Sequence, residues 1–411
     1  MDWQSRAQAL RAAFTPATPI RNQELFSGRQ DQMVRVTDTF HSPGEHATIF
    51  GERGVGKTSL ASVTAQIATL QGGIGIRVNC TAMDDASAIW LRVGETLSRI
   101  MHVDQATERK LDDLAGVASG AVQLLTNPGV STHDLLVALQ IVGQVRWVVL
   151  FLDEFDRVED RNVHAELVDL MKNISDQALP ITVVVVGVAA DVDTLIEEHQ
   201  SIGRGFNQVE MPRMSTDELR EVATRGLAQA EMTAADDAAE FIGQMSTGLP
   251  HYAHLIGLLA GLLAVREEVL EVAVPHVLSS LPEAVERAQQ HVSRLYYDAT
   301  HSTQQNLFRE VLLGAALART DERGYFAPGD LRSPMTAILK REAPVEIPAF
   351  AKQLSAFADA RGPVLNRTGV STRPRYRFIE PLLVPYVSMR GVNDGLITLD
   401  LMLDLLSRKS R

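Results

Sequence analysis

At 411 residues the chain is too long for one ordinary core and suits two or three domains. A hydrophobic content of 45% excludes general disorder, and a lone cysteine, Cys80, excludes an internal disulfide and fits a reducing cytosol. The net charge of −12 divides unevenly, with −17 on residues 1–290 and +5 on residues 291–411. Only the C-terminal part therefore has a sign suited to phosphate backbones, although +5 over that length is also an ordinary value.

In chain order, residues 1–14 mix Asp2, Arg6 and Arg11 with small apolar side chains, without the long apolar stretch of a secretion signal. Residues 30–40 read as a helix. Ala47, Thr48, Ile49 and Phe50 read as a strand. The next residues, Gly51-Glu52-Arg53-Gly54-Val55-Gly56-Lys57-Thr58-Ser59, contain G-x-x-x-x-G-K-[ST] without a gap. Leu60, Val63, Thr64, Ile67 and Leu70 then recur at helical spacing. In this order of strand, glycine-rich loop and helix, backbone N–H groups turn inward around phosphate oxygens and the helix N-terminus adds positive charge. Lys57 is placed to reach the β- and γ-phosphates, and Thr58 offers a hydroxyl to Mg²⁺. The expected ligands are ATP or ADP with Mg²⁺.

A second strand is expected over 74–79, followed by helices over 84–101, 111–125 and 131–144. Residues 147–152 form a continuous apolar run that ends in Asp153-Glu154. An apolar strand delivering a carboxylate pair beside a phosphate loop is the Walker B arrangement. Asp153 is expected to hold Mg²⁺ through water, from the tip of the strand neighbouring the loop, and Glu154 to polarise the attacking water. Asp156 is left open between supporting the site and being merely solvated. Further strands are expected over 181–188, with four consecutive valines, and over 208–211. The alternation predicts an α/β fold with a doubly wound parallel sheet and the site at its carboxyl ends.

Ser215 to Glu218 reads as a capping box that starts a helix. Residues 255–265 are the longest apolar run, too short to span a bilayer, so a buried helix and a cytoplasmic protein without a membrane partner are expected. Helices over 303–319, 328–339 and 348–361, then strands over 364–366 and 376–379, read as a winged helix. Arg361, Arg367, Arg373, Arg375 and Arg377 cluster in its hairpin. Such a hairpin suits a DNA backbone or minor groove, with Arg367, Arg373, Arg375 and Arg377 as the contacts. The segment 348–354 offers few side chains for reading bases, and modules of this shape also dock proteins. The tail 391–411 is expected to be solvated.

Together these motifs resemble the AAA+ ATPases related to archaeal and eukaryotic replication initiators, and the neighbouring STAND-type signalling ATPases. The resemblance covers roughly residues 15–290, with a looser match to the end, and implies a P-loop AAA+ domain over 1–213 and an all-α lid over 214–290; the residues themselves give the winged-helix domain over 291–390 and the tail over 391–411. It also implies that Ile20, Phe26 and Arg29 pack on the adenine; the bland alternative is a loop leading into the next helix. Arg204, just before the last strand, stands where the family keeps its arginine finger, and is otherwise a surface arginine. Pro250 follows the STAND pattern of a proline near the nucleotide, and also suits a plain helix start. His251 beside it is either a phosphate contact or a core histidine.

Two departures stand out: the segment 247–254 lacks the arginine that replication-initiator relatives keep near there, and the fourth strand ends Gly187-Val188-Ala189-Ala190, without a polar sensor. They imply slow hydrolysis and a nucleotide-controlled switch, working as a homo-oligomer or with an encoded partner. The leading expectation is a Mg-ATP-dependent ATPase whose winged helix contacts DNA. The alternatives are a STAND-like signalling or scaffold ATPase that binds a protein, and a nucleotide-binding adaptor with negligible turnover.

Overall fold

The fold is that of a computed structural model, which describes residues 1–16, 18–19, 26, 28–107, 113–187, 206–303, 306–321, 323–370 and 372–409. The chain forms two compact units, Thr18–Pro212 on one hand and Met1–Ala17 with Arg213–Arg411 on the other.

The first unit is built on five parallel strands: β1 (His46–Phe50), β2 (Ile74–Asn79), β3 (Val148–Asp153), β4 (Ile181–Gly187) and β5 (Phe206–Glu210). Their order is β2-β3-β4-β1-β5. β3 and β4 are buried along their whole length, which explains their unbroken apolar sequence. The strand carrying Asp153 is not the neighbour of β1, contrary to the sequence expectation, because β4 pairs with both and lies between them. The helix Lys57–Leu70 lies so close to β2 that a Cβ at Gly75 would come 2.2 Å from the Ala65 carbonyl oxygen. The helices Ala86–Thr107, Asp113–Leu124 and Thr132–Gly143 correspond to the expected helical layer. Ser131 and Asp134 form a reciprocal cap at the start of the third, and Trp90, fully buried, donates its Nε1–H to Thr132 Oγ1 at 2.9 Å.

The second unit is mostly helical. Its helix Thr216–Ala228 starts at the capping box of Ser215 and Glu218. The helix Pro250–Arg266 is buried nearly all round, as its unpatterned apolar sequence requires. The helix Trp3–Ala13 belongs to this unit and not to the one built on the sheet. Phe14 and Leu10 fill notches left by small residues: a Cβ at Gly226 would lie 2.3 Å from the Phe14 ring, and one at Gly261 would lie 3.1 Å from Leu10. Arg6 donates to the Ala230 and Glu231 carbonyls at 2.7 and 3.1 Å, satisfying acceptors just past the end of the helix Thr216–Ala228.

A short parallel pair, β6 (Thr233–Ala234) and β7 (Glu271–Val272), is followed by the helices Phe308–Leu317, Arg332–Ile338 and Ala351–Ala356, then by an antiparallel ribbon of β8 (Leu365–Thr368) and β9 (Arg375–Phe378). Phe326 bridges to Tyr376 as a third short rung. The helix expected over 348–361 is much shorter, because a 3-10 turn at Ile347–Ala349 precedes it and Phe350, Leu354 and Phe357 all point into the core. The expected solvated tail is also corrected. The helix Leu383–Asn393 crosses its boundary, and the helix Leu399–Lys409 buries Met402, Leu405 and Leu406, apolar residues at helical spacing. Among the described residues, no helix is long and apolar enough to cross a membrane.

Candidate nucleotide site

β1 ends in a loop whose shape depends on glycine. At Gly51, φ is +152°, and an added Cβ would lie 2.4 Å from the Met211 carbonyl oxygen. Gly54 and Gly56 adopt φ of +85° and +100°, the left-handed region that other L-residues resist. Gly56 is also the N-cap of the helix Lys57–Leu70, whose first amides have no partner within the helix. Val55 is buried, so it contributes backbone rather than a side-chain contact, whereas Glu52 and Ser59 are half-buried and Arg53 is exposed.

Lys57 folds back over this loop. Its Nζ donates to the Gly51 and Glu52 carbonyls, each at 2.9 Å. Burial lowers its pKa, and the carboxylates of Asp156 and Asp153 oppose that shift. The ammonium thus rests on neutral carbonyls, which phosphate oxygens outcompete as acceptors.

The carboxylate of Asp153 is 1% exposed and fully engaged. Its Oδ1 accepts from Thr58 Oγ1 at 3.2 Å and from the Glu154 amide at 3.0 Å. Its Oδ2 accepts from Arg77 Nη1 at 3.0 Å. Burial raises the Asp153 pKa, while Arg77, then Thr58, pull it back. The two residues expected to share a metal, Thr58 and Asp153, are therefore in direct contact. Among the described residues, no cluster of three or more His, Cys, Asp or Glu side chains forms a protein-only metal cage. A hydroxyl beside a buried carboxylate does fit Mg²⁺ carried by nucleotide phosphates, which needs only one or two protein oxygens.

Glu154 sits on the left-handed backbone at φ +55°, a conformation that costs a non-glycine residue about 1 kcal/mol. Its half-exposed side chain pairs with Arg157 at 2.7 Å. Asp156 lies against the end of β4, where a Cβ on Gly187 would meet its Oδ1 at 3.0 Å. It thus supplies a polar group beside the strand end whose own sequence has none.

Of the adenine-side residues, Phe26 is buried, and Arg29 is buried with its guanidinium on the Pro212 carbonyl. Ile20, Arg204 and the segment after Gly187 lie outside the described residues. Pro250 and His251 belong to the second unit. Pro250 is the first residue of its helix, and the Nδ1 of His251 is 2.8 Å from the Pro16 carbonyl oxygen, with its pKa lowered by burial.

In the ribbon, Arg367 pairs with Asp359 at 3.4 Å and with Ser355 Oγ at 3.0 Å. Arg375 pairs with Asp321 at 2.7 Å. Arg377 stacks over Tyr325, its Cζ 5.0 Å from the ring centre, Arg361 lies over Phe308 at 4.0 Å, and Arg373 is exposed.

The residue that sequence reasoning missed is Arg77. A cation within Ile-Gly-Ile-Arg-Val-Asn is the only hint, and its partner became evident only once β2 was known to lie beside β3.

Among solved structures, the chain is similar to the Walker-type ATPase PABY2304 of Pyrococcus abyssi, with 16% identity, a TM-score of 0.56, and coverage of 91% of this chain and 99% of that one. It is also similar to the ORC2 protein of Aeropyrum pernix in its ADPNP–ADP complexes, with 16% identity, a TM-score of 0.51, and coverage of 97% and 98%. At this identity the likeness establishes the fold. No curated protein matches the sequence. The family model Novel STAND NTPase 1 matches residues 13–370, most of the chain, and takes in both the phosphate loop and the Asp153 strand. The chain therefore belongs to the Novel STAND NTPase 1 family.

Proposed function

We propose that the protein is a Mg-ATP-binding switch that slowly hydrolyses ATP to ADP and phosphate. The observation that carries this reading is the convergence of a glycine-shaped loop, Lys57, Thr58 and the buried Asp153 at one end of a parallel sheet. Bound Mg²⁺ would supply charge neutralisation at the β- and γ-phosphates. Lys57 exchanges the Gly51 and Glu52 carbonyls for phosphate oxygens. Thr58 and Asp153 would hold the metal. Glu154 orients the attacking water, and its carboxylate is engaged by Arg157 until that pair opens, which supports slow turnover. Ile20, Phe26 and Arg29 take the base side, Pro250 and His251 the lid side, and Arg204 acts as a finger reaching a second copy.

Nucleotide binding and phosphate release test this reading. Glu154→Gln should bind ATP normally and release phosphate at background; wild-type release rates from that variant would remove Glu154 from the role of base. The mass of the protein with ADP and with a non-hydrolysable ATP analogue tests the assembly. Equal mass in both states would remove nucleotide-controlled oligomerisation.

We read residues 214–290 as a lid and 291–390 as a winged helix, with β8 and β9 as the wing. Contact with DNA would rest on Arg373 and Arg377, aided by Arg367 and Arg375. A second reading, docking of a protein partner, is favoured by one observation: Asp359 and Asp321 neutralise two of those four arginines. Salt-dependent DNA binding that is lost in the Arg373→Ala/Arg377→Ala variant supports the first reading. Indifference to DNA at low salt supports the second.

A further inference from the structure

Both carboxylates at the tip of β3 are held by arginines, but the two pairs differ in kind. The Arg157–Glu154 pair joins two roughly half-exposed side chains three residues apart, a setting in which ion pairs contribute little. The Arg77–Asp153 pair joins a largely covered guanidinium to a carboxylate with 2% of its side chain exposed. Removing one partner of a buried pair leaves an uncompensated charge, and that cost is large. Arg77 also arrives from a different strand, β2, in register with β3. Its hold on Oδ2 orients the carboxylate so that Oδ1 faces the Thr58 hydroxyl.

We propose that Arg77 is a positioning residue that serves as the built-in counter-cation of Asp153. It balances the charge of the carboxylate and keeps it correctly turned whenever Mg-nucleotide is not bound. The proposal rests on the reading of this site as a Mg-nucleotide site. It makes a distinctive prediction: loss of Arg77 harms the metal-free protein most, and Mg²⁺ repairs part of the damage.

Thermal unfolding of the full chain tests this in EDTA, in EDTA with ADP, and in Mg²⁺ with ADP. In EDTA, Arg77→Ala should unfold about 5 °C or more below wild type, whereas Arg157→Ala should stay within about 1 °C. Metal-free ADP should raise wild type and Arg77→Ala equally. Mg²⁺ with ADP should raise Arg77→Ala further than wild type, and Arg77→Lys should recover most of the loss. Equal unfolding temperatures in EDTA, or equal gains from Mg²⁺, would overturn the proposal. If Arg77→Ala does not fold, Arg77→Ala/Asp153→Asn must, since it removes both charges; failure of that double variant would show that Arg77 only fills space. A wild-type protein unmoved by ADP in either form would instead remove the nucleotide reading, while the comparison in EDTA would still judge the Arg77–Asp153 pair.

Discussion

The phosphate loop and the C-terminal ribbon are both short, glycine-containing and cation-rich, yet they hold their cations in opposite ways. Lys57 rests on two backbone carbonyls, neutral groups that give way readily to phosphate. Arg367 and Arg375 rest on carboxylates, which must be displaced by any phosphate that arrives. Positive charge counted along a sequence therefore says little about anion binding until the partner of each cation is known. The loop reserves its cation for an outside ligand, and the ribbon has partly spent its own internally.

The strongest way to break this contrast is Lys57→Ala, which should reduce nucleotide affinity at least a hundredfold, a loss of about 3 kcal/mol, by calorimetric titration. Affinity within threefold of wild type would show that the lysine was not reserved. A second test loosens the ribbon's own unit without touching its charges. Phe14→Ala should destabilise that unit by about 3 kcal/mol in urea, because the ring is fully buried against Gly226 and Gly257. The phosphate loop should then bind nucleotide as before.

Acid gives a third test that reaches both regions. Burial drives His46 in the sheet unit and His254 in the other unit down to about pKa 4. The unfolded chain takes up these protons below about 6.5, so the stability is complete above that pH and fades as pH falls toward 4. The loss should be about 2 kcal/mol for each histidine at pH 5, read from urea midpoints at pH 7 and pH 5. A flat profile would mean that neither ring is buried uncharged. The smallest effect belongs to Asp321→Asn, which frees Arg375. If the ribbon touches DNA, affinity should rise by no more than about 1 kcal/mol, measured at several salt concentrations. An unchanged affinity would favour protein docking.

Much of the site was legible because its chemistry is local. Gly51 to Ser59 and the Asp153-Glu154 pair each lie within a few consecutive residues, and the turn and the strand end are dictated there. What escaped was set by tertiary pairing. Arg77 reads as an ordinary strand residue until β2 and β3 are adjacent, and the left-handed backbone of Glu154 has no sequence signal at all. β4 was recognised as a strand, but its place between β1 and β3 depends on crossovers that hydrophobic patterning does not encode. The short helix Ala351–Ala356 was overestimated because helical spacing continues past the point where Phe357 turns into the core. The last helix was missed because the charged end of the chain masked the spacing of Met402, Leu405 and Leu406.

The seating of Phe14 and Leu10 in glycine notches has a consequence for how this protein can be divided. The polypeptide begins in one body, leaves it to build the other, and returns, so a single cut near residue 213 separates the first helix from its seat. The amino-terminal piece would then carry two stranded apolar side chains, and the carboxyl-terminal piece would keep empty sockets. An excision of residues 18–212 that keeps residues 1–17 together with 213–411 in one chain respects the architecture, and is the form in which the helical body is expected to be obtained alone.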